Sequence, residues 1–126
     1  FMQFPGCLPA DNSPGYKLLK TLWDRYKTVS SFDASYWEGV AIAAIMVRGF
    51  QRAQEKFGKV TNITINQALQ TFRNEDFGGL VPPVTYTNTD HSASFKARIV
   101  QIHEDATYTP LTNFWEPGKE KVEIIR

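Results

Sequence analysis

The sequence predicts a mixed fold of helices and strands, ordered as one strand, three helices and then several short strands. Three observations carry this. Leu18, Leu19, Leu22, Trp23 and Tyr26 recur at spacings of three and four, so they share one helix face. Residues 39–50 are apolar or small at nearly every position, which describes a helix buried on most of its sides. Residues 95–102 alternate loosely, with Phe95, Ala97 and Ile99 against Lys96, Arg98 and Val100, as a strand does.

Taken in order, residues 1–4 form a short apolar strand. Residues 5–14 form a loop, punctuated by Pro5-Gly6, Leu8-Pro9 and Asp11-Asn12-Ser13-Pro14. Ser13 caps the first helix and Pro14 takes its first position. Residues 28–34 are a polar connection. Ser35 and Glu38 match a capping box that opens a long helix over residues 36–57, which Gly58 ends. Thr64 and Gln67 match a second capping box, opening a helix over residues 65–73 with Ile65, Ala68, Leu69 and Phe72 inward. Residues 77–80 (Phe-Gly-Gly-Leu) make a tight turn. Short strands are expected at 84–87, 95–102, 108–114 and 122–125, with turns at 88–94, 103–106 and 116–121.

Standing alone, that order would make an α+β domain. The long helix argues against self-sufficiency. It needs neighbours on several sides, and the visible strands are too few and too short to supply them. The expectation is therefore a piece of a larger fold, whose missing partners would enclose this helix. The opening Phe1-Met2-Gln3-Phe4-Pro5 carries no charged leader ahead of an apolar stretch, which also points to a fragment or a mature product.

Bulk properties exclude several functions. Fourteen Lys and Arg against thirteen Asp and Glu leave a formal charge of +1, so there is no basic field for a nucleic-acid backbone. The longest apolar run, residues 40–47, is far short of the roughly 20 residues that a bilayer crossing needs. A single cysteine, Cys7, cannot form an internal disulfide.

The motifs give little enzyme chemistry. His91 follows Asp90, and His103 precedes Glu104-Asp105, but neither spacing is a zinc signature, and turn or surface roles fit both better than acid–base or metal roles. Cys7 has no local histidine to activate it and reads as a buried or hinge-lining thiol. Gly78-Gly79 belongs to a turn, since no phosphate-loop pattern surrounds it. Asn62-Ile63-Thr64 matches a glycosylation sequon, yet Thr64 fits a helix cap better. No catalytic residue, metal or cofactor is assigned. The best binding candidates are Tyr36 and Trp37. They stand at a helix N-terminus, where unpaired amides favour anions and rigid aromatics supply contact area; core packing is the alternative for both.

Several stretches together resemble the type I periplasmic solute-binding proteins, the leucine/isoleucine/valine-binding-protein-like family. These are Ser35-Tyr36-Trp37-Glu38-Gly39 with its small-residue helix, residues 62–69, residues 77–86, the Asp90-His91 turn, and the tail over 98–103 and 108–115. The departures are a turn lacking the family's usual Gly-Asp, and Ala106 where a glycine is common. The resemblance implies an α/β fold of two lobes joined by crossover strands, the Venus-flytrap fold, with this chain as its C-terminal part. Residues 1–6 would be a hinge strand, 14–90 first-lobe elements, and 95–126 the last hinge strand and tail. It implies no enzyme but the exported, periplasmic binding component of an ABC importer. The ligand would be a small amino acid (branched-chain or aromatic) or a related carboxylate, held between the lobes. The partners would be a membrane permease and the remaining N-terminal part of the same protein. Tyr36 matches a cleft-facing position, and Trp37 is its neighbour. A sensor on the same scaffold is the alternative; a small hydrolase using His91 or His103 is a third.

Overall fold

The computed structural model describes residues 2–27, 33–93, 96–105, 107–116 and 124–125. Its elements are strand β1 (Met2–Phe4), a 3-10 turn (Pro9–Asp11), helices α1 (Pro14–Tyr26), α2 (Ala34–Phe57) and α3 (Asn62–Leu69), and strands β2 (Arg98–Ile102) and β3 (Tyr108–Pro110). The three strands form one sheet in the order β1-β2-β3, and both pairings are antiparallel. Met2 faces Val100 across the first pair, and Val100 faces Pro110 across the second.

α1 starts as its sequence dictates. Ser13 is extended, its Oγ accepts from the Tyr16 N–H at 3.1 Å, and Pro14 occupies the first turn. α2 starts earlier than expected. Asp33, not Ser35, is the N-cap, its Oδ1 accepting from the Tyr36 N–H at 3.1 Å, so Ser35 lies inside the first turn. Gly58 ends α2 at φ +66, in the left-handed region that glycine enters without a Cβ penalty.

α3 is also displaced from its expected position. Thr61 is the cap, and Thr64, instead of opening the helix, is the reciprocal partner three residues on. The Thr61 Oγ1 accepts from the Thr64 N–H at 3.2 Å, and the Thr64 Oγ1 accepts from the Thr61 N–H at 2.9 Å. The helix stops at Leu69 because the Thr71 N–H and Oγ1 both turn back to the Ala68 carbonyl.

The strands are shorter than expected. Residues 84–87 contribute a single bridge, Val84 to Glu75. β2 begins at Arg98, with Ala97 bridged to Trp115, and residues 94–95 lie outside the described residues. β3 ends at Pro110. Beyond it the Thr112 Oγ1 takes the Ile99 N–H at 2.9 Å, and Thr112 bridges Ile124. The expected positions at 1, 106, 117–123 and 126, and residues 28–32 of the connection over 28–34, lie outside the described residues.

Two clusters make the core around the site. Cys7, Leu19, Ala41 and Leu80 form one, and Phe4, Leu8 and Val100 the other. α3 packs on α2 so closely that a Cβ at Gly49 would lie 2.9 Å from the Leu69 side chain. Arg48 and Arg52 of α2 both bond Glu75 and tie the loop after α3 to the helix. Within this chain the long helix keeps an open apolar flank. Ala41, Gly49 and Ala53 are buried, but Ile42 is 56% exposed and Val47 52%. The Val47 face continues onto α1 through Leu18, 46% exposed, across a groove of about 440 Å³.

Candidate functional site

A cavity of about 390 Å³ lies where the sheet meets the N-terminal ends of α1 and α2. Phe4 of β1 and the loop residues Cys7, Leu8, Pro9 and Ala10 form one wall. Tyr16 and Leu19 of α1, Asp33, Ala34 and Trp37 at the start of α2, and Thr107 and Tyr108 at the sheet complete it. The lining is mostly apolar with a few polar groups, the usual character of a small-molecule site, and its volume falls in the common range of about 300–1,000 Å³. The α2 N-terminus contributes the positive end of a long helix, already capped by Asp33.

Trp37 is the pivot of this site. Its indole Nε1–H donates to the Leu80 carbonyl at 2.8 Å. Its ring lies 5.5 Å from that of Phe4 at 46°, and Phe4 stacks in turn on Tyr108 at 6.0 Å. Gly6 permits this packing, because a Cβ there would sit 2.6 Å from Trp37 Cε2. Tyr36, the other candidate, does not line the cavity. Its ring meets Trp23 of α1 edge-on at 5.1 Å and packs against the Cys7–Leu19 cluster. Adjacent positions on a helix point about 100° apart, so one of the two faces the cavity and the other faces α1.

Cys7 is 4% exposed, and burial, followed by the charge of Asp11, pushes its thiol up to about 11. Burial thus disfavours the reactive thiolate, and Cys7 serves as a wall residue of the cavity. Arg98 is buried at 4% exposure. It pairs with Asp11 (Nη1 to Oδ1, 2.7 Å), donates to the Gly6 carbonyl at 2.8 Å, and lies 4.5 Å over the Phe114 ring. Burial by itself would raise the Asp11 pKa; the bonds from Arg98 and from the Leu8 N–H outweigh it and hold the carboxyl below its usual range.

Sequence reading assigned no role to either Asp11 or Arg98. Loose alternation placed Ile99 with the apolar face of β2, whereas Arg98 and Val100 are the residues turned inward. A buried arginine paired with a partly exposed carboxylate is not visible in spacing when 87 positions separate them.

The histidines stay apart from this site. His91 edges a shallow hollow with Asn66, Leu69, Gln70 and Tyr86, while the Asp90 carboxylate accepts from the Ser92 N–H at 2.9 Å. His103 Nε2 lies 2.8 Å from Thr109 Oγ1, and Asp105 accepts from the Thr107 N–H and Oγ1. Thr64 of the sequon is 4% exposed and committed to the α3 cap. Among the described residues no group of three or more His, Cys, Asp or Glu is placed to hold a metal ion, and no helix is long and apolar enough to cross a membrane.

No protein-family model matches the sequence, and no curated protein matches it. A solved structure does: a branched chain amino acid ABC transporter from Thermus thermophilus with bound valine. It superposes with a TM-score of 0.81 over 92% of this chain, at 23% sequence identity. The chain has the fold of the matched part of that transporter. It spans about a third, 33%, of that transporter's chain. The helices, the small antiparallel sheet and the cavity between them thus belong to an architecture in which two thirds of the solved chain has no counterpart here.

Proposed function

We propose that this chain is one segment of a two-lobed, periplasmic receptor that binds a small amino acid or related carboxylate and hands it to an ABC importer. The observation that carries the reading is the superposition at TM-score 0.81 on a transporter holding valine. The cavity agrees with it in kind. Apolar and aromatic walls suit a branched or aromatic side chain.

On this reading β1 and β2 are hinge strands, and residues 14–90 belong to the first lobe. Trp37 contacts ligand directly. Tyr36 acts one step behind it, keeping α1 and α2 in register through Trp23. The exposed flank of α2 is covered by the rest of the protein, including its N-terminal part. Ligand bridging the lobes stabilises the closed form through its differential affinity, and the permease reads that form; no bond is made or broken.

Titration calorimetry of the intact protein with L-valine, L-leucine, L-isoleucine and aromatic carboxylates tests the proposal. We expect saturable 1:1 binding by at least one, with a matching rise in melting temperature of about 2.7 kcal/mol equivalent at a hundredfold excess over Kd. No heat and no thermal shift with any of them would sink the reading.

A further inference from the structure

The loop wall of the cavity is gripped at both ends by one side chain that does not itself line the cavity. Arg98 Nη2 donates to the Gly6 carbonyl at 2.8 Å, and Arg98 Nη1 donates to Asp11 Oδ1 at 2.7 Å, with Nη2 also on Asp11 Oδ2. Gly6 and Asp11 bracket residues 7–10, and all four of those residues line the cavity. Asp11 extends the grip inward: its Oδ2 accepts from the Leu8 N–H at 2.7 Å, and its own N–H donates to the Leu8 carbonyl at 3.0 Å, which closes the 3-10 turn.

Arg98 is fixed from the far side. It stands on the middle strand of the sheet, 4% exposed, with its guanidinium 4.5 Å over the Phe114 ring. Its Nε is buried without a hydrogen-bond partner among the described residues. A buried donor left unmade is costly, so the group is held where its two terminal nitrogens reach the loop ends and not where all its donors are satisfied. A planar fork meets one carbonyl and both carboxylate oxygens from fixed positions; an ammonium, a compact point charge on a flexible stem, does not reproduce that geometry.

We propose that Arg98 is a positioning residue for the cavity, setting the place of the 7–10 wall from β2 through its simultaneous hold on Gly6 and Asp11. The functional meaning rests on the cavity being the ligand site; the mechanical claim does not, and the two are tested separately.

Cys7, in the middle of the gripped wall, is the reporter. Native-state alkylation of Cys7 by iodoacetamide, read by peptide mass spectrometry on the intact protein, is compared for wild type, Arg98→Lys, Asp11→Asn and a control, Val84→Ala. The control removes a fully buried side chain that belongs to neither core cluster beside the wall. We expect Arg98→Lys to keep the wild-type far-ultraviolet spectrum and raise Cys7 alkylation at least tenfold. Asp11→Asn should act in the same direction by a smaller factor, and the double variant should not exceed the larger single. Val84→Ala should stay within about twofold of wild type once matched for melting temperature. An unchanged rate in Arg98→Lys, or an equal rise in the control, overturns the proposal. Should Arg98→Lys fail to fold, Asp11→Asn decides by the same criteria, its rate corrected for the thiolate fraction from a pH profile, because removal of the Asp11 charge by itself favours the thiolate. Calorimetric titration of the same variants with the amino acids and carboxylates named above separates the two ideas. A loosened wall with no binding of any of them, even by wild type, removes the receptor reading and leaves the clamp standing. A wall unchanged in variants that have lost binding removes the clamp alone.

Discussion

The Trp37 indole reaches across 43 residues to the Leu80 carbonyl at 2.8 Å, and this bond joins the start of α2 to the glycine turn ahead of the proline pair. Leu80 is 1% exposed, so its carbonyl has little access to water if the donor is removed. Trp37 therefore has two duties, one to the core and one to the cavity wall.

Two substitutions separate those duties. Trp37→Phe keeps most of the ring but leaves the Leu80 carbonyl unpaired, and should cost about 1–3 kcal/mol in chemical denaturation. Trp37→Ala also strips the cavity wall, and on the proposed function should weaken L-valine binding at least tenfold, about 1.4 kcal/mol, by calorimetry. Equal binding by wild type and Trp37→Ala would remove Trp37 from the site.

Two glycine-to-alanine changes should have opposite signs. At Gly15 a Cβ would lie 2.2 Å from the Leu80 backbone nitrogen, so Gly15→Ala must push the 77–81 loop away from α1 and should cost about 1–3 kcal/mol or more. At Gly39, within α2, a Cβ meets nothing within 4 Å, so Gly39→Ala should gain about 0.5–1 kcal/mol of helix propensity. Melting curves of the pair check both. A destabilising Gly39→Ala would show that this position is covered in the intact protein.

Acid sensitivity should centre on Asp11 and Glu75. For each, burial alone would raise the pKa, and arginine partners outweigh it: Arg98 for Asp11, and Arg48 with Arg52 for Glu75. A folded pKa below the unfolded one means stability that is fully present above the ordinary carboxylate range, about 3.9–4.3, and lost as pH falls through the lowered value. Urea titrations at neutral pH and at successively lower pH should show stability declining below about pH 4. Glu75→Gln should cost about 1–3 kcal/mol at pH 7 and flatten that decline. An acid limb unchanged in both Asp11→Asn and Glu75→Gln would assign it to other groups.

The α2 flank gives a direct reading of what surrounds it. Ile42 is 56% exposed here, and a polar substitution at a free surface changes stability by no more than about 0.5 kcal/mol. If the rest of the protein covers this face, as proposed, Ile42→Asp in the intact protein should cost more than about 2 kcal/mol. A neutral result would place Ile42 in water.

Much of the fold was legible because its signals are local. Ser13 with Pro14, Gly58 after the polar last turns of α2, and the Phe77–Leu80 turn each depend on a few adjacent residues, and each forms where the pattern puts it. The two displaced helix starts failed for the same reason. Asp33 and Ser35 are both good caps, as are Thr61 and Thr64, and a pattern of cap residues cannot choose between neighbours separated by two or three positions. Trp37 was visible as a candidate at a helix start, but the direction of its ring, and the turning of Tyr36 toward Trp23, depend on what packs against α2.

By itself, the sequence determined the helices, the turns, the absence of a basic field and the presence of an apolar helix too large for its neighbours. Those follow from propensity, capping and composition, which act over a few residues. Tertiary structure alone decided that Arg98 closes on Gly6 and Asp11, at separations of 92 and 87 residues, and that Trp37 closes on Leu80. A buried donor must find whichever acceptor the folded chain brings within 3 Å, and no spacing rule in the linear chain encodes that distance.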